Sequence, residues 1–351
     1  MYAGSKADTK RQSKFSSLMA DPIAAISFAD PHADPYGHMG LVRNPDGSVT
    51  RQFEHPKTPV SSYDGSPILL VKDVPINQSK NTGARIFLPK EALESFPGRK
   101  LPLLIYFHSG GFVICSVATS GFDDFHRALA TEVPFVVVSI EHRLAPEHRL
   151  PAAYEDCLEA LHWIKNSQDE WLEKYADLSN SFLMGSSSGG NIAYHVGLSA
   201  SSCVDDLKPL NIKGLILHQA FFGGNKRTES ELRALNDTFI PPCVTDVLWE
   251  LSLPVGADRD HEFSNPVLSI KPGQFDQIKA LGWKILMAGY ENDALFDRQF
   301  EIAKMLEGKG VPVVTNFVEG GYHGIDMFES AKTKVLCEVV KEFIISFVTT
   351  A

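Results

Sequence analysis

Short, almost wholly apolar runs recur along the central and C-terminal parts of the chain, and amphipathic stretches separate them. A run that is apolar on both faces is typical of a strand in a sheet that helices cover on both sides. The pattern therefore predicts six strands, at residues 101–107, 135–140, 181–184, 214–219, 284–289 and 312–318.

Two of the intervening stretches place apolar residues at helical spacing. Residues 152–166 carry Tyr154, Leu158 and Leu161 at such intervals. Residues 297–310 show the same pattern and end in Lys and Gly, which suit a helix terminus. Because strands that alternate with helices imply right-handed crossovers, we expect an α/β fold with a mostly parallel central sheet flanked by helices.

Two segments depart from this alternation. Residues 1–60 are rich in Pro, Asp, Gly and His, which favour turns over long elements. Residues 220–265 mix helical and loop patterns after a predicted strand. We expect a single domain over residues 1–351, in which a tail and cap segment at 1–60 and an inserted cap segment at 220–265 lie together over the strand ends.

Composition and charge narrow the possible partners. The 351 residues are 44% hydrophobic and carry a formal net charge of −10. The apolar content suffices for a large core, and the acidity is poorly matched to nucleic acids and anionic membrane surfaces. No stretch approaches the roughly 18 apolar residues that span a bilayer. We predict no nucleic-acid partner and no membrane partner, and the sequence leaves the oligomeric state open.

The cysteines and the N-terminal segment bear on location. The five cysteines are odd in number, scattered and without a CxxC pair, so we expect neither a disulfide framework nor a metal site. The N-terminal segment is basic and Ser-rich but lacks the apolar run of a signal peptide. It weakly resembles an organelle transit peptide; we interpret it as a tail and expect a cytoplasmic protein.

Residues 185–191 contain the motif G-x-S-x-G between a predicted strand and a helical pattern, which is the context of a nucleophile elbow. A nucleophile on so sharp a turn adopts strained backbone angles, so the residues two before and two after it must lack a bulky Cβ. Of three adjacent serines, only Ser187 has Gly185 and Gly189 at these offsets. A Ser/Gly loop that caps a helix is the competing interpretation. We predict Ser187 as the nucleophile.

A second glycine-containing loop, HSGG at residues 108–111, directly follows the first predicted strand. It looks like the HGGG-type loop of lipases and esterases, whose backbone N–H groups help to bind an oxyanion. Glycine lets a chain approach a substrate carbonyl closely. We expect the N–H groups of Gly110, Gly111 and Ser188 to form the oxyanion hole; an ordinary strand-to-helix turn is the alternative.

In the triad order that accompanies this motif, an acid and then a histidine follow the serine. The histidines after the elbow are His195, His218, His261 and His323. His195 lies on the predicted elbow helix, His218 in a predicted strand and His261 in the predicted cap. His323 lies in a Gly-rich loop after the last predicted strand, from which an imidazole can reach the strand ends. We therefore choose His323 as the base.

The acid is expected after the preceding strand, where the loop offers Glu291, Asp293 and Asp297. A carboxylate there would hold the correct tautomer of the base and stabilise its imidazolium form. Asp297 suits the first turn of the next helix. We choose Asp293, which lies nearer the strand end, and keep Glu291 as the reserve.

Together these motifs resemble those of the hormone-sensitive-lipase group of α/β-hydrolases. The similar stretches are the HGGG-like loop at 108–111, HRLAPEHRLPAAYED at 142–156, GSSSGGN at 185–191 and DALFD at 293–297. Within the group, residues 249–266 and the GGYHG ending look most like plant carboxylesterases. The resemblance runs from about residue 40 to the C-terminus. It implies an N-terminal cap, no metal or cofactor, Asp293 as the triad acid, and hydrolysis of small carboxylic esters.

Three residues depart from that group's pattern: Ser109 replaces a glycine, Ser186 an acidic residue and His142 a tyrosine. None is a triad member, and we predict a serine carboxylesterase. Some relatives act instead as dehydratases or cyclases of plant specialised metabolism, and the two serines keep that alternative open. A gibberellin-receptor-like binding protein is a weaker alternative, since that receptor lacks the histidine that His323 supplies here.

The predicted cap offers a mainly apolar set of side chains. These are Phe239, Ile240, Val244, Val247, Leu248 and Leu251. Phe112 either adds to this wall or packs in the core. Apolar walls suit a small-molecule ester with a small or medium uncharged acyl group. We expect specificity to peak near butyrate and to fall for long chains.

Overall fold

The computed structural model describes residues 30–52, 54–90, 98, 100–133 and 135–347. The strands in these ranges are β1 (Leu41–Arg43), β2 (Val49–Arg51), β3 (Leu69–Asn77), β4 (Thr82–Pro89), β5 (Leu101–Phe107), β6 (Val136–Glu141), β7 (Ala176–Ser186), β8 (Ile212–His218), β9 (Lys284–Tyr290) and β10 (Val313–Val318). The first two form a small antiparallel hairpin, and the other eight form one sheet in the order β10-β9-β8-β7-β5-β6-β4-β3.

The helices lie mainly between the parallel strands. They are α1 (Pro35–His38), α2 (Ser120–Glu132), α3 (Ala152–Lys165), α4 (Glu170–Tyr175), α5 (Ser188–Ser202), α6 (Val204–Leu207), α7 (Glu229–Arg233), α8 (Pro242–Ser252), α9 (Asp276–Ala280), α10 (Phe296–Gly308), α11 (Ile325–Phe328) and α12 (Ser330–Ile345), with short 3-10 helices at Val60–Tyr63 and Pro266–Ser269. Among the helices described, none combines the length and the apolar character needed to cross a membrane.

The sheet is mostly parallel, as predicted. Strands β5 to β10 run parallel to one another, whereas β4 is antiparallel to both β3 and β6. All six predicted strands are present, although β7 begins at Ala176, earlier than the apolar run alone indicates. The α/β class is therefore confirmed, while β3 and β4 are additions that the apolar-run pattern does not predict.

Helices cover the sheet on both faces. Alternate residues of β5 belong to two different buried clusters, one on each face of the sheet. Leu103 and Ile105 cluster with residues of α3 and α5, whereas Leu104 and Tyr106 cluster with residues of α2 and α12. The register also aligns the strand ends, because Phe107 lies opposite Gly185 and Ser186 lies opposite His218. The carboxyl ends of β5, β7 and β8 thus meet at one edge, where ligands of open α/β sheets bind.

The described part of the N-terminal segment contacts residues 220–265. His38 Nε2 lies 3.2 Å from the carbonyl oxygen of Phe239, and Arg43 forms an ion pair of 3.0 Å with Glu250 of α8. Residues 220–265 are also tied to α10, since the N–H of Ser230 donates to Asp297 at 2.7 Å. Residues 1–29, which we interpret as a tail and which weakly resemble a transit peptide, lie outside the described residues.

Candidate active site

The turn between β7 and α5 has the geometry of a nucleophile elbow. Ser187 adopts φ 55° and ψ −122°, a left-handed conformation that costs a non-glycine residue free energy. A Cβ on Gly185 would lie 2.1 Å from the carbonyl oxygen of Gly189, and a Cβ on Gly189 would lie 1.9 Å from that of Phe107. A side chain is therefore sterically excluded two residues before and two residues after Ser187. Ser187 itself is partly exposed.

The loop after β5 provides unpaired backbone donors beside the elbow. Gly110 and Gly111 have φ of 117° and 61°, and a Cβ on Gly110 would lie 2.0 Å from the carbonyl oxygen of Ile114. Within the described part of the chain, the N–H groups of Gly110, Gly111 and Ser188 donate to no protein acceptor. Free amides are what an oxyanion hole requires.

The structure brings the predicted base and acid together. His323 Nδ1 lies 2.9 Å from Asp293 Oδ2, and both side chains are buried. The other carboxylate oxygen of Asp293 accepts a hydrogen bond of 2.9 Å from the N–H of Leu295. Ser187 is linked to the neighbouring strand end, because its N–H donates to the carbonyl oxygen of His218 at 3.0 Å.

The competing acids and histidines have other surroundings. Glu291 is exposed, and Asp297 accepts from Ser230 in the first turn of α10. His195 is partly buried and stacked on Tyr154 with ring centroids 4.7 Å apart, as expected for a packing residue. His261 is partly buried and packs against an aromatic ring within residues 220–265.

The two serine departures contact each other. Ser109 Oγ donates to the carbonyl oxygen of Ser186 at 2.7 Å, which joins the glycine loop to the elbow. Ser186 Oγ accepts from Tyr106 at 2.7 Å and lies 2.7 Å from His218 Nδ1. The Ser109 side chain therefore joins the glycine loop to the elbow, whereas the Ser186 side chain joins the end of β7 to β5 and β8.

This hydrogen-bonded chain continues to an acid that sequence reasoning missed. His218 Nε2 lies 2.9 Å from Asp326 Oδ2, and Tyr290 donates to the other oxygen of Asp326 at 2.8 Å. Asp326 is thus a buried carboxylate that is linked to Ser186 through His218. Ser186, His218 and Asp326 are each no more than 4% exposed, so substrate cannot reach this second Ser–His–Asp arrangement.

The third departure, His142, stacks on His108 beneath the glycine loop. The two rings are nearly parallel, with centroids 4.0 Å apart. Burial lowers the pKa of His108 to about 4. Burial, together with the neighbouring His108, lowers the pKa of His142 to about 3. Both rings are therefore neutral at neutral pH and place no positive charge under the loop.

The predicted apolar wall is divided between core and site. Phe112 is 1% exposed and packs against Phe221 and Trp249, so it belongs to the core. Most of the apolar residues of α8 are also buried in the core. Leu248 nevertheless borders Gly111, because a Cβ on Gly111 would lie 2.6 Å from the methyl groups of Leu248. Phe239 lies near the predicted base, with its ring centroid 6.2 Å from that of His323.

Gln219, which directly follows β8, is a further residue that sequence reasoning missed. Its side chain contacts Asp293 and the two residues on either side of His323. A polar residue at the carboxyl end of a parallel strand next to the elbow strand was the available signal. In the described residues no group of three or more His, Cys, Asp or Glu side chains is placed to hold a metal ion.

The known proteins to which this chain is similar are α/β-hydrolases and esterases. A family model described as an alpha/beta hydrolase fold matches residues 104–327. Carboxylesterase 20 of Arabidopsis thaliana is 48% identical over 325 residues, covering 92% of this chain and 99% of that protein. The 3-O-acetylpapaveroxine carboxylesterase CXE2 of Papaver somniferum is 42% identical over 321 residues, covering 89% and 100%. A Pyrobaculum calidifontis esterase structure superposes with a TM-score of 0.68 at 25% identity, covering 82% and 89%.

Proposed function

The chain belongs to the α/β-hydrolase fold family, and from that membership we propose that it is a serine carboxylesterase acting on small to medium uncharged esters. The observation that carries the proposal is the hydrogen bond of 2.9 Å between His323 and Asp293, on loops at the same sheet edge as the strained Ser187. Its similarity to two plant carboxylesterases over about nine-tenths of the chain supports the same activity.

The proposed mechanism begins with proton transfer. His323 takes the hydroxyl proton of Ser187 as the oxygen attacks the ester carbonyl. Asp293 holds the imidazole tautomer that can accept this proton and stabilises the imidazolium that forms. The N–H groups of Gly110, Gly111 and Ser188 donate hydrogen bonds that stabilise the negative charge developing on the carbonyl oxygen.

The second half repeats these roles with water. His323 gives its proton to the departing alcohol, which leaves an acyl group on Ser187. The same imidazole then takes a proton from water as the water attacks the acyl carbonyl. Collapse of this intermediate frees the carboxylic acid and restores the serine. The residues supply every proton movement in the cycle, so the mechanism requires no cofactor and no metal.

The proposed acyl site lies between Leu248 at Gly111 and Phe239 at His323. Both side chains are apolar, so each methylene that fits should gain up to about 0.8 kcal/mol. The contacts of residues 220–265 with the N-terminal segment and with α10 support a closed cap, which sets a length beyond which further carbons clash. A short acyl chain is therefore the preferred substrate class.

The state of the cysteines bears on the cellular compartment of the enzyme. All five cysteines are free thiols, and buried thiols such as Cys157 persist in a reducing compartment. We place the enzyme in the cytoplasm, with a small-molecule ester as its partner.

The decisive experiment is turnover of p-nitrophenyl esters from C2 to C16 below their solubility limits. We expect kcat/KM to rise from acetate to a maximum near butyrate and then to fall. Ser187→Ala should lower kcat by about 10⁴-fold or more, whereas Ser188→Ala, which keeps its backbone N–H, should retain activity. A maximum at C12 or longer, or activation by emulsified triglyceride, would indicate a lipase.

The same preparation separates the two alternative functions. A pre-steady-state burst of p-nitrophenol shows an acyl-enzyme and therefore a hydrolase. A dehydratase or cyclase that uses this pocket would give no burst and no turnover of the ester series. Tight binding of a gibberellin without any ester turnover would instead indicate a receptor.

A further inference from the structure

We propose that Gln219 is a positioning residue whose side-chain amide fixes the proposed acid and the loop of the proposed base in one arrangement. The inference rests on the proposed function, because it concerns how Asp293 and His323 are held. Gln219 is 1% exposed and directly follows the last residue of β8, at the edge where the strand ends meet.

Every hydrogen-bonding group of this amide is directed at the catalytic loops. Its Nε2 donates to Asp293 Oδ2 at 3.0 Å and to the carbonyl oxygen of Tyr322 at 3.1 Å. Its Oε1 accepts from the N–H of Gly324 at 2.9 Å. The orientation of the amide is unambiguous, since a carbonyl oxygen can only accept and a backbone N–H can only donate.

The contact with the acid falls on the oxygen that serves the base. Asp293 Oδ2 accepts from Gln219 at 3.0 Å and lies 2.9 Å from His323 Nδ1, while Oδ1 accepts from the N–H of Leu295. Groups bonded to both oxygens fix the rotation of the carboxylate. Without Gln219, Oδ2 would keep only the imidazole among these partners, and the carboxylate would be held less tightly.

The contacts with the base loop bracket His323 on both sides. Tyr322 and Gly324 immediately precede and follow it, and both are bonded to the same amide. The loop is otherwise built from residues with wide conformational freedom, because Gly320, Gly321 and Gly324 all adopt positive φ. The Gln219 amide therefore ties the residues on both sides of His323 to the carboxyl end of β8.

The backbone beside Gln219 also contacts the nucleophile. The carbonyl oxygen of His218 accepts from the N–H of Ser187 at 3.0 Å, and the N–H of Phe221 donates to the carbonyl oxygen of Ser187 at 2.8 Å. Gln219 itself has a φ of 41°, which is unfavourable for a residue with a side chain. One short segment thus touches the nucleophile, the acid and both neighbours of the base.

The chemistry of the amide cannot be replaced by shape alone. Gln219→Glu keeps the volume and the acceptor for Gly324, but it removes both donors and sets a carboxyl group against Asp293. Gln219→Leu removes all three hydrogen bonds. Gln299→Leu is the matched control, because within the described residues the Gln299 amide is buried and has no hydrogen-bond partner.

The test measures kcat and KM on p-nitrophenyl butyrate for these three variants and Ser187→Ala, with circular dichroism to verify folding at the assay temperature. We expect Gln219→Glu and Gln219→Leu to lower kcat by about 10- to 100-fold, since small misplacements of reacting groups have effects of this size. KM should change by less than about threefold, because the residue does not contact substrate. Gln299→Leu should retain wild-type kcat.

Three results would overturn the positioning role. These are a kcat within twofold of wild type in Gln219→Leu, a loss confined to KM, or an equal loss of kcat in Gln299→Leu. If Gln219→Leu fails to fold, the isosteric Gln219→Glu variant decides. A Ser187→Ala variant that keeps its activity would refute the proposed function separately, whatever the Gln219 variants do.

Discussion

At the scale of single residues, burial distinguishes three carboxylates that lie within seven positions of each other. Asp293 is 1% exposed and bonded to His323, whereas Glu291 is exposed to solvent. Asp297 accepts from the backbone of Ser230 and so fastens residues 220–265 to α10. Only the first of the three can act on the imidazole, although all three have the same chemistry in the sequence.

This difference predicts the ranking of three isosteric amide substitutions. Asp293→Asn should lower kcat by about 10²- to 10⁴-fold, because an amide cannot fix the tautomer of His323 or balance its charge. Glu291→Gln should leave kcat within about twofold, as expected for a surface change, and Asp297→Asn should have a much smaller effect than Asp293→Asn. Steady-state kinetics on one ester give the ranking. Equal losses in all three would indicate a distorted loop rather than a lost acid.

At the scale of elements, the elbow depends on how closely α5 approaches the strand beside it. The Cα of Gly189 lies so near the end of β5 that a methyl group would meet the carbonyl oxygen of Phe107. By contrast, Gly121 near the start of α2 has nothing within 4 Å of its would-be Cβ. A side chain is therefore sterically excluded at Gly189 but allowed at Gly121.

Alanine at these two positions should have opposite effects on stability. Gly189→Ala should lower the free energy of unfolding by about 1–3 kcal/mol, because backbone must shift to admit the methyl group. Gly121→Ala should be neutral or raise it by up to about 1 kcal/mol, since alanine is the better helix former. Urea unfolding of both variants provides the comparison. A Gly189→Ala protein as stable as wild type would contradict the tight packing described at the elbow.

The sequence predicts those elements whose burial is purely apolar. The two strands of the main sheet that it misses carry charged residues: β3 has one partly exposed face and contains Lys72 and Asp73, and β4 contains the buried Arg85. Arg85 is tolerated there because Asp73 and Asp123 each accept from it at 2.7 Å. An ion-paired arginine in a strand interior gives a local pattern that periodicity treats as exposed.

The site shows a similar division. Ser187 stands out in the sequence because its backbone geometry imposes glycines at fixed offsets, and the choice of Asp293 and His323 as the proposed acid and base follows from strand ends and chain order. Gln219 and Asp326 act through contacts between residues 74 to 108 positions apart. The position of Gln219 at a strand end hints at a role near the site, but the partners of both residues follow only from the fold.

At the scale of the whole molecule, three buried histidines and the partly buried His195 make the stability of the fold depend on pH. Burial lowers the pKa of His108 to about 4. Burial is also the main cause that lowers the pKa of His126, His142 and His195, each to about 3. Their unfolded pKa is near 6.5, so the unfolded chain binds more protons than the folded protein at intermediate pH. The histidines therefore favour the folded state fully above pH 6.5, and this advantage falls as the pH decreases.

We predict that the free energy of unfolding falls steeply from about pH 6.5 towards pH 4. Four groups that each take up one proton on unfolding give a slope of up to about 5 kcal/mol per pH unit. In His142→Phe, which keeps a ring beside His108, the slope should decrease by about 1.4 kcal/mol per pH unit. Urea midpoints between pH 4.5 and 8 measure both values. A midpoint that stays constant from pH 7 to pH 5 would contradict the neutral, buried state of these rings.

The left-handed conformation of Ser187 has a consequence for how this chain evolves. A side chain held at φ 55° costs about 1–3 kcal/mol, and glycine at the same position would not incur this cost. Selection for stability alone would therefore favour glycine over serine at position 187. The proposed nucleophile needs a side chain at this position, so its reactivity would come with a lower stability of the folded protein.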